Sequence, residues 1–163
     1  MNLSTRCALA ALALPSLLSA QRMFVVDSSR VVSELDLVTA TRTQVGTLPT
    51  AVGTSAGFAY DFSRGRLYVS STGNDSIYLV DTTNWNAKLI GNYGVGSSVV
   101  MHGLEWDALN DQLYAASTDG SFYTVDRLTG AATLVGNTGL TSFHNLGYDL
   151  LRIGFLESGV VLA

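Results

Sequence analysis

Three features of the 163-residue sequence predict an all-β fold made of repeated units. An Asp closes an apolar alternation at Asp36, Asp81 and Asp126, positions 45 residues apart. Short runs with apolar residues at every second position are separated by turns containing Gly, Asn and Asp, the pattern of half-buried strands joined by hairpins. No segment after residue 20 sustains apolar residues at i, i+3, i+4 and i+7, the period that a packed helix needs.

Residues 1–20 read as a secretory signal peptide. Arg6 supplies the positive start, Cys7 to Ala20 the apolar stretch, and Ser19-Ala20 the small residues before a cleavage expected at Gln21. The apolar core falls short of the roughly 20 residues that span a membrane, and no later segment reaches that length, so no transmembrane segment is expected. The mature chain is expected to be secreted, periplasmic or at the cell surface. Cys7, the sole cysteine, leaves with the peptide, so stability must come from an apolar core rather than from disulfide staples.

Residues 21–149 read as the repeats, in strand groups of approximately 21–56, 57–102 and 103–144. Nine or ten residues after each landmark Asp come Val45-Gly46, Ile90-Gly91 and Val135-Gly136, again 45 apart. A third landmark recurs as Phe58-Ala59-Tyr60-Asp61, Leu104-Glu105-Trp106-Asp107 and Leu146-Gly147-Tyr148-Asp149. Each full unit holds four short strands, for example Gly103 to Asp107, Gln112 to Ser117, Ser121 to Asp126 and Ala131 to Val135. The turns between them, Asn110-Asp111, Thr118-Asp119-Gly120 and Leu128-Thr129-Gly130, supply residues that tolerate positive φ. Four antiparallel strands per unit without a helix describe a propeller blade. The expected fold is therefore an incomplete β-propeller of about three four-stranded antiparallel blades plus the start of a fourth. Residues 145–163 read as a degenerate or truncated fourth repeat, because Glu157 stands where the repeat has Val69 and Ala115. Closed propellers have about four to eight blades, so the chain is expected to be a fragment of a longer propeller, ended by truncation or a shifted reading frame.

The run Leu67-Tyr68-Val69-Ser70-Ser71-Thr72-Gly73-Asn74-Asp75-Ser76-Ile77-Tyr78-Leu79-Val80-Asp81-Thr82-Thr83 resembles the YVTN-type propeller repeat, in which Tyr-Val-Thr-Asn is followed by a short turn and Val-Ile-Asp-Thr. The resemblance extends from Met23 to about Asp149, and the bare alternation is shared with NHL and quinoprotein-like blades. It implies an exported propeller used mostly for binding and assembly, with enzymatic relatives.

Among candidate functional residues, His102 and His144 are the only histidines and occupy the same place in two copies, two residues before the expected inner strand. Imidazoles at a channel mouth can bind a ligand or shuttle protons, and they are the candidate ligand-binding pair. Two histidines without a matched carboxylate or Cys do not complete a metal site, so no metal and no cofactor is expected. Asp36, Asp81 and Asp126 read as structural turn residues whose carboxylates accept backbone N–H groups of their own hairpins, and Asp61, Asp107 and Asp149 have the same explanation. Gly53-Thr54-Ser55-Ala56-Gly57 matches the nucleophile-elbow pattern, which works only where a strand turns into a helix; no helix follows here, so an ordinary loop is expected. Asp126-Arg127-Leu128-Thr129-Gly130 resembles the start of a quinoprotein blade motif, but Thr133 stands where that motif has Trp. Trp85 and Trp106 read as blade packing, and Asn74-Asp75-Ser76 is a glycosylation sequon at an exposed turn.

Nine Lys and Arg against thirteen Asp and Glu give a formal net charge of −4, with no basic stripe for a phosphate backbone, so nucleic acid is excluded as a partner. The leading functional reading is an exported binding or scaffold protein without catalytic machinery, taking an unidentified protein or carbohydrate ligand. Two alternatives remain: a propeller lyase or lactonase using His102 and His144, and a cell-surface layer or matrix component that self-associates through its open blade edges.

Overall fold

The computed structural model describes residues 22–96, 98–140 and 146–147. They form eleven strands in three antiparallel sheets, and the one helical element is a 3-10 turn at Thr50–Val52. The first sheet contains β1 (Met23–Val26), β2 (Val31–Leu35) and β3 (Arg42–Thr47). The second contains β4 (Ser55–Asp61), β5 (Arg66–Ser71), β6 (Ser76–Val80) and β7 (Ala87–Asn92). The third contains β8 (Met101–Asp107), β9 (Gln112–Ser117), β10 (Ser121–Val125) and β11 (Ala132–Asn137). In each sheet the strands pair in chain order, so every connection within a blade is a hairpin.

The first sheet has three strands rather than the expected four. Register explains this: Met23↔Leu35 in the first sheet is the same pairing as Leu67↔Val80 in the second. The first copy thus begins at the place of the second strand of a blade. The expected fourth copy lies almost wholly outside the described residues, Leu146 and Gly147 excepted, and so does Glu157.

The recurrent Val/Ile-Gly pair marks a β-bulge in the last strand of every sheet. Val32 pairs Gly46 and Ser33 pairs Gln44, which leaves Val45 as the extra residue. Ile90 and Val135 are the extra residues in the other two sheets. A bulge bends its strand and increases the local twist, and the 45-residue spacing keeps that bend at one level in all three blades. The first strands of the second and third sheets also bulge, between Ser55 and Phe58 and between Met101 and Gly103. For this reason they begin at Ser55 and Met101, earlier than the expected Phe58 and Gly103.

Blades meet face to face around two apolar clusters. The first seam buries Val32, Leu48, Val52, Leu67, Val69, Tyr78, Val80 and Trp85, with Phe24 and Val45 against them. The second buries Ala59, Tyr68, Ile77, Met101, Leu104, Trp106, Leu113 and Tyr123, with Leu79 and Ile90 against them. Alternation sorts β5 between the seams: Leu67 and Val69 face the first sheet, Tyr68 the third. Both tryptophans fill seams. Trp85 meets the Phe24 ring edge-on at 5.1 Å, and Trp106 stacks on Tyr68 at 6.3 Å. Burying a large apolar side chain is worth about 1.5–3 kcal/mol, so seams of this size outweigh any single hairpin bond.

The seams close because the bulge glycines let the next blade's turn approach. A Cβ at Gly46 would overlap the Trp85 indole, and one at Gly91 would overlap the Thr129 carbonyl oxygen. The turn residues that lie there, Trp85 (φ 60°) and Gly130 (φ 80°), are left-handed, as is Ala40 (φ 57°) at the equivalent position of the first copy. A second 45-residue series of left-handed residues, Arg30, Asp75 and Gly120, accepts backbone bonds from Leu48, Tyr93 and Thr138 at 2.8–3.0 Å. Overlap with backbone is relieved only by separating the sheets, so Gly91→Ala is expected to cost at least about 1–3 kcal/mol, read as a lower midpoint in urea denaturation.

Candidate functional site

Strand direction divides the predicted residues between the two ends of the blades. The first strands start, and the second strands end, at the upper end; the Asp hairpins lie at the lower end.

At the lower end, each landmark Asp ties its own turn. Asp36 Oδ1 accepts the Val38 and Thr39 amides at 2.9 and 2.8 Å. Asp81 Oδ1 accepts the Thr83 amide and hydroxyl, and Oδ2 accepts Asn84 Nδ2. Asp126 Oδ1 accepts the Leu128 and Thr129 amides. The hairpins then close through Ala40, Trp85 and Gly130 amides on the Asp carbonyls. Asp61 and Asp107 tie the turns between first and second strands in the same manner, and Asp149 lies outside the described residues. Arg64 joins two blades: its guanidinium pairs with Asp61 at 3.0 Å and with Asp111 of the next blade through both nitrogens, over the face of Trp106. These carboxylates therefore serve the fold, each within its own turn or seam.

His102 lies at the upper end, half-buried, as the extra residue of the β8 bulge. A bulge re-aims the side chain it carries, and it places His102 where β8 meets β4. There Gly57 allows the strands to touch, since a Cβ on it would lie 2.6 Å from the His102 carbonyl oxygen. His144 lies outside the described residues. Strand direction puts His102 at the opposite end from Asp36, Asp81 and Asp126, so these groups do not form a common site. Among the described residues no three His, Cys, Asp or Glu converge as a metal-ligand set.

Ser55, the serine of the Gly-x-Ser-x-Gly match, is buried as the first residue of β4, and its Oγ donates to the Asp27 carbonyl at 2.7 Å. A strand follows it, not the helix that an elbow requires. The sequon Asn74 is exposed, but its Nδ2 is already engaged, donating to the Ala51 carbonyl at 2.9 Å and to Tyr78 Oη at 2.6 Å.

The upper end carries an open groove of about 400 Å³ between the second and third blades, lined by Thr72, Gly73, Asn74, Asp75, Asn92, Gly96, Val99 and Val100. One wall is the β5–β6 turn, held by Tyr93 N–H to the Asp75 carbonyl at 3.0 Å and by Asn92 Nδ2 to the Asn74 carbonyl at 3.3 Å. The other is the β7–β8 connection, entered through Asn92 Oδ1 accepting the Gly94 amide at 2.7 Å. Burial pushes the Asp75 carboxyl up from its ordinary value. Thr72 Oγ1 and the Asn74 and Asn92 amides are engaged within the fold, so a ligand lying across this shallow groove would meet the Asp75 carboxyl, backbone groups and two valines. The sequence reading missed this groove. The available signal was the Gly- and Ser-rich stretch Gly94 to Ser98, which does not continue the alternation of either neighbouring strand.

No family model matches the sequence, and no curated protein matches it. Solved structures do resemble the fold. A nidogen/laminin complex superposes with a TM-score of 0.60 at 15% identity, covering 79% of this chain and 49% of that chain. A protein of unknown function from Bacteroides thetaiotaomicron gives 0.59 at 16% identity, covering 74% and 32%. A gluconolactonase from Xanthomonas campestris gives 0.52 at 17% identity, covering 75% and 39%. The chain spans half or less of the length of each. At these identities the likeness concerns the fold, a β-propeller in which this chain supplies three blades.

The turn carboxyls carry a pH dependence. Backbone bonds from Thr39 hold Asp36 low, the Thr83 hydroxyl holds Asp81 low, and the Leu128 amide holds Asp126 low. Arg64 lowers Asp111, and for Asp61 burial opposes the charge but the Ser63 and Arg64 bonds outweigh it. Asp75 and Glu105, both raised by burial, act in the opposite sense. A carboxyl lowered in the folded state gives stability that is present above its unfolded value and lost as pH falls through the folded one. With the lowered groups in the majority, the thermal midpoint is expected to hold from neutrality to about pH 4, near the ordinary Asp value, and to fall below it. Asp81→Asn should flatten that decline, as followed by circular dichroism melts.

Proposed function

We propose that this chain is part of an exported, YVTN-type propeller that binds a protein or carbohydrate partner through the groove at the upper end of its blades. The observation that carries the reading is the groove between Thr72–Asp75 and the segment of Asn92, Gly96, Val99 and Val100, where a partly desolvated carboxyl lies beside two valines. Loops on a rigid β-scaffold are the usual seat of recognition. The nidogen/laminin neighbour is a propeller found in a complex with another protein, which is compatible with such a role here. YVTN membership rests on the Leu67 to Thr83 pattern, and placement within a longer propeller rests on the blade count.

A lactonase reading rests on His102 beside the inner strands and on the gluconolactonase neighbour, which supports the fold alone. A binding site and a lactonase separate in one experiment. The isotopically labelled chain is titrated with maltose, lactose and chitobiose and with the host's extracellular protein fraction, while glucono-δ-lactone hydrolysis is followed by acid release. Amide shifts clustered at Thr72–Asp75 and Asn92–Val100, and lost in Asp75→Asn and Asn92→Ala, are the expected result. Lactone turnover abolished by His102→Ala, or shifts only at the lower turns, would replace the binding reading.

Export is a separate expectation. The signal at Arg6 to Ala20 predicts that protein recovered outside the cytoplasm begins at or within a residue or two of Gln21, as read by mass spectrometry of its N-terminal peptide; recovery of intact Met1 there or retention in the cytoplasm removes the export claim.

A further inference from the structure

The lower end of the second blade carries an open pocket of about 460 Å³, beside the hairpin that Asp81 ties. Its lining comes from the β4–β5 turn, the lower ends of β5, β6 and β7 and the Asp81 turn, all within the blade that has a described sheet packed on either face. Cross-strand register builds it. Tyr68 pairs Leu79 and Leu79 pairs Lys88, and Arg66 stands two residues before Tyr68 in β5. The side chains of Arg66, Leu79 and Lys88 therefore share the face that the second sheet turns to the third.

Two cations thus line one pocket. Arg66 is half-buried and Lys88 exposed, and among the described residues neither side chain makes a hydrogen bond or an ion pair. The carboxylates beside them are committed elsewhere. Asp81, on the rim, has its oxygens on the Thr83 amide and hydroxyl and on Asn84 Nδ2. Asp61, opposite Arg66 in register, is held by Ser63 and Arg64. Thr82 and Asn86 add a hydroxyl and an amide to the lining, likewise with no side-chain hydrogen bond among the described residues.

The other blades show that the fold does not need this charge. In the first, Arg22 holds the place of Arg66, and Glu34, in the place of Leu79, neutralises it at 2.7 Å. In the third, Gln112 stands there, its Nε2 donating to the Leu113 and Val125 carbonyls at 2.8 and 3.1 Å. The place of Lys88 is taken by Thr43 in the first blade and Thr133 in the third. The second blade alone of the three sets two unneutralised cations here.

We propose that this pocket binds a singly charged acidic sugar, with Arg66 and Lys88 on its carboxylate or sulfate ester and Thr82 and Asn86 on its ring hydroxyls. The guanidinium fork takes two oxygens of such a group, and the ammonium adds a point charge beside it. With Asp81 ionised on the rim, two cations leave one net positive charge, which matches a monoanion rather than a dianionic phosphate. Leu79, on the strand between the two cations, offers the apolar contact that a sugar ring face takes. A hydroxyl and an amide beside a single charge fit a hydroxylated ring better than the repeated charges of an acidic peptide. The pocket lies at the opposite end of the blade from the upper groove, and the two readings stand or fall separately.

The test is a titration of the full isotopically labelled chain, in physiological salt, with galacturonate, galactose 6-sulfate, the neutral methyl ester of galacturonate, inorganic sulfate and triglutamate. Saturable amide shifts at Gly65–Arg66 and Asp81–Lys88 with galacturonate or galactose 6-sulfate are expected, the ligand that responds identifying the anion as a carboxylate or a sulfate ester. Arg66→Gln and Lys88→Thr install side chains that another blade holds at the same place, and each is expected to weaken binding about tenfold with an unchanged circular dichroism spectrum. No saturable shift with either acidic sugar, an equal response to the methyl ester or to inorganic sulfate, unchanged binding in both variants, or a response to triglutamate alone would overturn the proposal, the last of these assigning the pocket to an acidic peptide.

Discussion

A single blade has two apolar faces and can bury neither by itself, and every other feature of this structure depends on that constraint. The second sheet shows the consequence most clearly. In β5, Leu67, Tyr68, Val69, Ser70 and Ser71 are all buried, because one set of alternating side chains fills the first seam and the other fills the second. The strand therefore reads in sequence as a continuous run, whereas the last strands, β7 and β11, keep several exposed positions.

Face-to-face packing of twisted sheets needs a place where backbones approach without side chains between them. The bulge glycines supply it, and the left-handed turn residues opposite them supply the matching protrusion. The non-glycine residues Ala40 and Trp85 adopt a conformation that costs roughly 1–2 kcal/mol. At Trp85 the seam offsets that cost through indole burial; at Ala40 nothing among the described residues does. Among the described residues, the same repeat that builds the interior thus leaves one turn, at Ala40, and one bulge glycine, Gly136, without a blade against them.

Polar groups follow the same division of labour. At the lower end the carboxylates are held charged by their own hairpins and by Arg64, which ties the second blade to the third across Trp106. At the upper end Asp27 and Asp119 tie the corresponding turns of the first and third blades through hairpin amides, whereas the second blade's turn is held by backbone bonds and Asn side chains, which leaves Asp75 partly desolvated beside an open groove. Each lower hairpin is tied within itself or to its neighbour's, so loop variation at the upper end leaves the lower hairpins intact.

Local chemistry made much of this legible. The 45-residue period located the strands and turns, and the Asp positions followed because an Asx-type turn depends only on near neighbours in the chain. Trp85 and Trp106 could be assigned to packing from their size and their strand context. Their partners could not be assigned, because Phe24 on Trp85 and Tyr68 on Trp106 are contacts between blades. Likewise Val45-Gly46 was visible as a landmark, but its meaning, a bulge beneath the next blade's turn, depends on a separation that periodicity does not encode. The upper groove was illegible for the same reason: Asp75 and Val99 are brought together by the angle between two sheets. The sequence by itself determined the unit, its turns and the fact that units must stack, since those rest on local hydrogen bonding and alternation. Only the tertiary structure decided which faces are filled and which stay open, because that depends on how neighbouring sheets pack.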